Sequence, residues 1–281
     1  MGFWFEETAS SGHRLQWKVI RELYAGKSQY QQIQIVETEE FGVAMVLDEI
    51  MQTTTGDEFI YHEMLALVPL LSHPHPRRVL IVGGGDGGLA REVLKVPKVE
   101  RVVMVEIDPM VIEVAKRFLP GHTQSLDDPR LTILCQDGAA YVKNMAHAQE
   151  KFDVILVDST DPEGEGPGQF LYTPAFHEDV MNALNPLGVY VQHTGAPFYN
   201  PEVLRDVSRD VARLFPRRQV YWCTIPTYPG GIFTFTAGSL GPDLSEPLQS
   251  CSYPTRYYSP AIHQAAFALP PFLEELIDNA Q

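Results

Sequence analysis

The sequence predicts an α/β fold, a doubly wound sheet of parallel strands preceded by a small antiparallel β domain. Three observations lead there. Polar and apolar residues alternate in the first 55 or so positions, as in half-buried strands. From Arg77 onward, short continuous apolar runs alternate with helix-like segments, the pattern of buried parallel strands and their crossovers. The first of those runs ends in a glycine-rich turn that opens a helix.

The N-terminal strands are predicted at Gln16–Ile20, Gln32–Val36 and Phe41–Asp48. Asp57 to Ser72 carries Phe59, Ile60, Met64, Leu67 and Val68 at helical spacing, and His73-Pro74-His75-Pro76 closes it as a linker. This places a domain boundary at 56, with an N-terminal β-strand domain over 1–56 and a larger domain over 57–281. Val79–Val82 is the first parallel strand, followed by a helix from Gly87 to about Leu94 and a second strand at Arg101–Glu106. Asp108-Pro109 starts the next helix with an N-cap and a proline at the first turn. Further strands are expected at Leu131–Cys135, Phe152–Val157, Gly188–Gln192, Val220–Thr224 and Ile232–Thr236, all parallel, with a turn-rich loop over Gly238–Pro254 and a final helix over Pro271–Ala280.

Composition narrows the function. The 281 residues hold 21 Lys+Arg against 36 Asp+Glu, a formal charge of −15. That balance and the lack of a basic stripe speak against a nucleic-acid partner and suit a cationic small molecule. No apolar run reaches the roughly 18 residues of a membrane span. Met1-Gly2-Phe3-Trp4-Phe5-Glu6-Glu7 lacks the basic region of a signal peptide and the Ser or Thr of a myristoylation site. The three cysteines, Cys135, Cys223 and Cys251, are far apart and fit reduced thiols in a cytoplasmic protein.

Gly83-Gly84-Gly85-Asp86-Gly87-Gly88 satisfies GxGxxG through Gly83, Gly85 and Gly88, and Glu106 ends the next strand about 20 residues on. Such glycines let a ligand approach the backbone, and the spaced carboxylate can chelate two ribose hydroxyls. Asp86 selects among nucleosides. A carboxylate there repels a pyrophosphate, and equally the carboxylate of S-adenosylmethionine, but attracts a bare propylammonium such as that of decarboxylated S-adenosylmethionine.

Asp137-Gly138, just beyond the third parallel strand, can accept from an adenine amino group, or cap a helix. Asp158 and Asp161 follow the fourth strand, where two carboxylates can face one crevice, grip a dication or assist removal of a proton. Asp161 before a proline also reads as plain turn chemistry. Glu163 to Gly168 is an acidic, flexible loop that can serve as a lid or simply face solvent. Tyr61, His62 and Tyr228 supply aromatic and imidazole groups, and the two tyrosines read on their own as packing residues. The histidines and cysteines form no metal-ligand spacing, and there is no serine elbow and no Walker lysine.

Taken in order, Leu47-Asp48, Met51–Thr54, Asp57–Met64, Val82–Gly88, Val105–Asp108, Asp158–Pro162, Ile225–Tyr228 and Pro260–Pro270 resemble spermidine synthase, of the polyamine aminopropyltransferase family, over nearly the whole chain. The resemblance implies a Rossmann-like methyltransferase-type domain behind the β domain, and a homodimer or homotetramer. It implies transfer of the aminopropyl group of decarboxylated S-adenosylmethionine, a co-substrate rather than a cofactor, to a diamine. It also implies residue roles: Gln31 and Glu106 at the ribose, Asp137 and Gly138 at the adenine, and Asp86 at the propylamine. Asp158 would be the proton acceptor, with Tyr61, His62, Asp161 and Tyr228 around the amine acceptor.

The chain departs from the family pattern at Glu49, at Thr55-Gly56 and in a longer, more acidic loop after Pro162, which bear on acceptor choice. Putrescine is the first expectation, then cadaverine, agmatine or a triamine. The rival classes are a small-amine methyltransferase, an NAD-dependent dehydrogenase and a non-catalytic polyamine-binding protein.

Overall fold

The computed structural model describes residues 3–10, 12–162 and 166–278. The N-terminal part is a five-stranded antiparallel meander of β1 (Phe3–Ser10), β2 (His13–Lys27), β3 (Gln32–Thr38), β4 (Gly42–Leu47) and β5 (Ile50–Thr54). Strands β1 and β5 lie beyond the three expected. β1 finds its register only against β2, with Glu7 opposite Leu15.

A helix α1 (Glu58–Ser72) leads into the second sheet, built from β6 (Arg78–Gly83), β7 (Arg101–Glu106), β8 (Leu131–Cys135), β9 (Phe152–Asp158), β10 (Leu184–Gly195), β11 (Arg217–Cys223) and β12 (Phe233–Ser239). Its order is β11-β12-β10-β9-β6-β7-β8. The five strands from β10 to β8 are parallel, as predicted. The last two are not: β12 runs antiparallel to β10 and to β11. The connection over 224–232 is too short to hold a crossover helix, so β11 and β12 return as a hairpin.

Both faces of the sheet are covered, which is why its central strands read as unbroken apolar runs. Val79, Ile81, Val102, Met104, Val154 and Leu156 face α1 and α2 (Gly88–Leu94). Leu80, Val82, Val103, Val105, Ile155 and Val157 pack on the other side. There they meet α5 (Gly138–Ala146), α6 (Pro174–Ala183) and α7 (Pro201–Leu214), while α3 (Pro109–Phe118) and the short α4 (Pro120–Thr123) follow β7. Short helices α8 (Pro260–Ala265) and α9 (Pro271–Asp278) end the described chain; Asn279 and Ala280, expected in the last helix, lie outside the described residues. The two sheets are joined by apolar packing of Ile33, Ile35, Met45 and Leu47 on Val111, Val114, Ala115 and Leu119 of and just beyond α3.

Strand order reverses between β6 and β9. A doubly wound sheet opens a crevice at that point, beyond the carboxyl ends of the strands. Gly83 and Asp158 are direct register partners there.

Candidate active site

The crevice is a cavity of about 520 Å³. Its wall brings together Gln31, Tyr61, His62, Gly83, Gly85, Asp86, Glu106, Asp137, Gly138, Asp158, Asp161 and Tyr228, whereas Gly88 of the glycine motif does not line it. Glu163, Gly164 and Glu165 of the expected lid lie outside the described residues, whereas Gly166 and Gly168 line the cavity.

The glycine loop sets the floor. Gly83 has φ +87°, and a Cβ on it would lie 2.0 Å from the Asp158 carbonyl oxygen, so the turn passes over the end of β9 only as glycine. The Gly84 N–H donates to that same carbonyl at 2.8 Å, tying the loop to Asp158.

Glu106, Gln31 and Asp137 line one part of the cavity. Glu106, at the end of β7, is buried and accepts from the N–H groups of Gly85 (3.1 Å) and Asp108 (2.9 Å). Burial nevertheless dominates and pushes its carboxyl up to about 7. Gln31 reaches in from the N-terminal sheet and donates through Nε2 to Asp108 Oδ2 at 2.9 Å. Asp137 caps α5, its Oδ1 accepting from Ala140 N–H at 2.9 Å. The capping role read from the sequence is therefore filled by one oxygen, and Asp137 still faces the cavity.

On the other side the groups are acidic and aromatic. The Tyr61 hydroxyl, one turn into α1, donates to Asp158 Oδ1 at 2.8 Å. Burial raises the Asp158 pKa; the neighbouring Asp86 charge adds to this, and His62 and the Tyr61 hydrogen bond oppose it. His62 Nδ1 lies 2.6 Å from Glu58 Oε2, and its Nε2 lies 3.5 Å from Asp86 Oδ2. Burial alone would lower the imidazole, but Asp86 and Glu58 push it up to about 9. Arg91 closes the chain with two bonds to Glu58, at 2.8 and 3.0 Å. Burial works against the Glu58 charge, yet His62 and Arg91 hold that carboxyl well below the ordinary range.

Tyr228 stands in the turn after β11, its hydroxyl donating to the Gln52 carbonyl at 2.6 Å and its ring 6.0 Å from that of Tyr61. Asp57 fixes this turn, accepting from Thr227 N–H and Oγ1 at 2.9 and 2.7 Å. The two tyrosines form one aromatic wall with Phe233.

His62, Asp86 and Asp158 bring three potential ligand atoms within 4.8 Å of one another. The Asp86 and Glu58 charges that raise the His62 pKa favour its protonated form, and a metal ion would have to displace that proton.

Glu7 and His193 are among the wall residues not singled out from the sequence. Glu7 of β1 is buried, accepts from Met51 N–H at 3.1 Å, and is pushed up to about 7, chiefly by burial. His193 of β10 is 3 % exposed and stands beside Asp161. The polar run Gln192-His193-Thr194 at the carboxyl end of β10 is the signal that could have found His193.

Residues 58–245 match the family model for the spermine/spermidine synthase domain, and residues 3–55 that for the spermidine synthase tetramerisation domain. The chain is 43% identical over 279 residues to the polyamine aminopropyltransferase of Moorella thermoacetica, covering 99% of this chain and 97% of the relative. It is 42% identical over 276 residues to that of Bacillus subtilis, covering 98% of each. Among solved structures it is similar to a spermidine synthase in complex with the transition-state analogue AdoDATO, with TM-score 0.94, 38% identity, and coverage of 99% of this chain and 95% of that one. It is also similar to spermidine synthase from Thermotoga maritima, with TM-score 0.91, 37% identity, and coverage of 98% and 94%.

Proposed function

Since the chain belongs to the spermine/spermidine synthase family of polyamine aminopropyltransferases, we propose that it transfers the aminopropyl group of decarboxylated S-adenosylmethionine to putrescine, giving spermidine and 5′-methylthioadenosine. The observation that carries this reading is the acidic crevice in which Asp86, Asp158 and His62 converge, with the Glu106 carboxylate lining the same cavity. Glu106 and Gln31 hold the ribose, Asp137 and Gly138 the adenine, and Asp86 the propylammonium. The acceptor lies between Tyr61 and Tyr228, with His62 beside it and Asp161 beyond Asp158.

The reaction is a direct displacement. An uncharged amine attacks the aminopropyl carbon next to the sulfonium, that carbon–sulfur bond breaks, and the neutral thioether leaves. Because the sulfonium is already activated, the enzyme mainly aligns the partners and removes a proton, and no further cofactor is required. Proton removal is the harder part. An alkylammonium near 10 and an ordinary aspartate near 4 differ by about 6 units, roughly 8 kcal/mol against full transfer. The burial that raises the Asp158 pKa narrows this gap, and the sulfonium charge disappears as the proton arrives.

By the same reading, residues 1–56 form the assembling unit, which presents exposed Phe3, Trp4 and Ile20, and residues 57–281 the catalytic unit, in a homodimer or homotetramer. A cytoplasmic setting agrees with Cys135, Cys223 and Cys251 as free thiols. No described helix is long and apolar enough to cross a membrane.

The test is chromatography of methylthioadenosine released from decarboxylated S-adenosylmethionine with putrescine, cadaverine, agmatine or spermidine, and from ordinary S-adenosylmethionine as control. Release with putrescine above the others is the expected result. Preference for another amine reassigns the acceptor, and no release with any amine removes the reading.

A further inference from the structure

A second cavity, of about 400 Å³, opens among α1, α2 and the 254–256 loop. Its wall carries the acids Glu58, Glu63 and Glu92 and the cations Arg91, Lys95 and Arg256. The acids are 8%, 1% and 1% exposed, and their oxygens are already engaged. Glu63 accepts from the N–H groups of Arg256, Tyr257 and Tyr258 at 2.8, 2.8 and 2.7 Å. Glu92 accepts from Arg91 Nε and from Lys95 Nζ, and Glu58 is held by Arg91 and His62. The hydrogen-bonding capacity left over belongs to the cations. Arg256 is exposed, its guanidinium carbon 3.7 Å from the centre of the Phe59 ring, and it makes no ion pair or side-chain hydrogen bond among the described residues. A guanidinium stacked by its face keeps its N–H donors in the ring-parallel plane, where they match the two oxygens of a carboxylate or phosphate. The ammonium of Lys95, 31% exposed, bonds Glu92 alone. A ligand entering the cavity thus meets donors, with the carboxylates buried behind them. The −15 charge of the whole chain is screened beyond about 8 Å at physiological salt, so these nearby cations decide the sign of the ligand.

We propose that this cavity binds a small oxyanion of two or more negative charges, a phosphate or a polycarboxylate, through Arg256 and Lys95, with the buried Arg91 also in its wall. The site also communicates with the crevice. Arg91 bonds Glu58 at 2.8 and 3.0 Å, Glu58 lies 2.6 Å from His62 Nδ1, and His62 Nε2 lies 3.5 Å from Asp86. Arg91 and Glu58 line the second cavity, and His62 and Asp86 line the crevice. An anion beside Arg91 competes with Glu58 for its positive charge. Glu58 is then less well neutralised, the crevice end of the chain becomes more negative, and a cationic ligand next to Asp86 is favoured. Such coupling is reciprocal, so that ligand tightens the anion by the same factor.

The experiment is calorimetric titration of the full chain with inorganic phosphate and with citrate, at an ionic strength held constant with sodium chloride, with and without methylthioadenosine in the crevice. Wild type, Arg256→Gln and Lys95→Gln are compared. One saturable site per chain is expected, present whether or not methylthioadenosine is bound and weakened roughly tenfold or more in each variant. The tighter of the two anions identifies the class. No saturable binding of either anion, or equal binding by the wild type and both variants, overturns the site. Binding abolished by methylthioadenosine places the anion in the crevice and overturns it too. If Arg256→Gln no longer binds methylthioadenosine, Lys95→Gln decides. With the anion bound, the Kd of decarboxylated S-adenosylmethionine should fall roughly fivefold while that of methylthioadenosine, which lacks the ammonium, stays unchanged. Equal effects on the two ligands, or none on either, overturn the link through Arg91. None of these arms needs turnover, so a protein that binds the anion but transfers no aminopropyl group keeps this site and loses only the aminopropyl-transfer reading.

Discussion

Tyr61 and Asp158 meet across 97 residues of sequence, the hydroxyl donating to the carboxylate at 2.8 Å. Burial raises the Asp158 pKa and this hydrogen bond restrains the rise, because it favours the charged form. Tyr61→Phe removes the restraint. Asp158 should then hold its proton to higher pH, so the acidic limb of the kcat profile should move upward, with kcat down roughly tenfold. Asp158→Asn should lose about 10²–10⁴ in kcat while still binding methylthioadenosine. Profiles of kcat against pH check both, and a downward move in Tyr61→Phe would contradict the role given to the hydroxyl.

The His62–Asp86 contact makes a different prediction. Burial would lower the imidazole, but Asp86 and Glu58 hold it near 9, so below that pH the free protein carries His62 protonated. A ligand ammonium beside Asp86 adds positive charge next to that ring and lowers its pKa. Binding of decarboxylated S-adenosylmethionine at pH 8 should therefore release protons. Calorimetry in two buffers of different ionisation enthalpy measures this directly. Methylthioadenosine, which lacks the ammonium, should release fewer, and equal release from both ligands would separate His62 from the donor tail.

Asp86 should also govern which nucleoside is accepted. Its carboxylate repels the carboxylate of S-adenosylmethionine and attracts a bare propylammonium, a discrimination by unfavourable as well as favourable contact. Asp86→Asn should weaken decarboxylated S-adenosylmethionine and tighten S-adenosylmethionine, so that their ratio of Kd values falls roughly tenfold or more. Competition against methylthioadenosine gives both values, and an unchanged ratio would take the selectivity away from Asp86.

The parts of this crevice that were legible in the sequence are those fixed by strand ends. Gly83, Glu106, Asp137 and Asp158 each stand at or just beyond the carboxyl end of an apolar run, and the doubly wound order brings such ends to one edge. Strand direction was not legible in the same way. The apolar pattern of β11 and β12 is the same in either direction, and only the short 224–232 connection separates a hairpin from a crossover. Glu7 was hidden because its burial depends on β1 pairing with β2 and on the Met51 N–H of β5, contacts that no local period encodes. His193 was hidden for the opposite reason, since it belongs to the polar run Gln192-His193-Thr194, and such a run looks the same whether it is satisfied in the core or turned to a cavity.

Gly88 ties the glycine loop to this chemistry through packing alone. A Cβ on it would lie 2.2 Å from His62 Cε1 and 2.4 Å from Nδ1. The ring has no room to withdraw, because it is buried and its Nδ1 is engaged with Glu58 at 2.6 Å. Gly88→Ala must therefore push α2 away from α1 or break the His62–Glu58 pair, at a cost of about 1–3 kcal/mol. A fall in Tm of about 2–10 °C should follow. The KM for decarboxylated S-adenosylmethionine should rise as well, because Asp86 rests against the displaced ring. Gly121→Ala is the matched control, since a Cβ there meets nothing within 4 Å. Thermal melts and donor kinetics of the two variants check the contrast. If Gly88→Ala melted and turned over like Gly121→Ala, the close approach of the loop to His62 would have no part in holding the site.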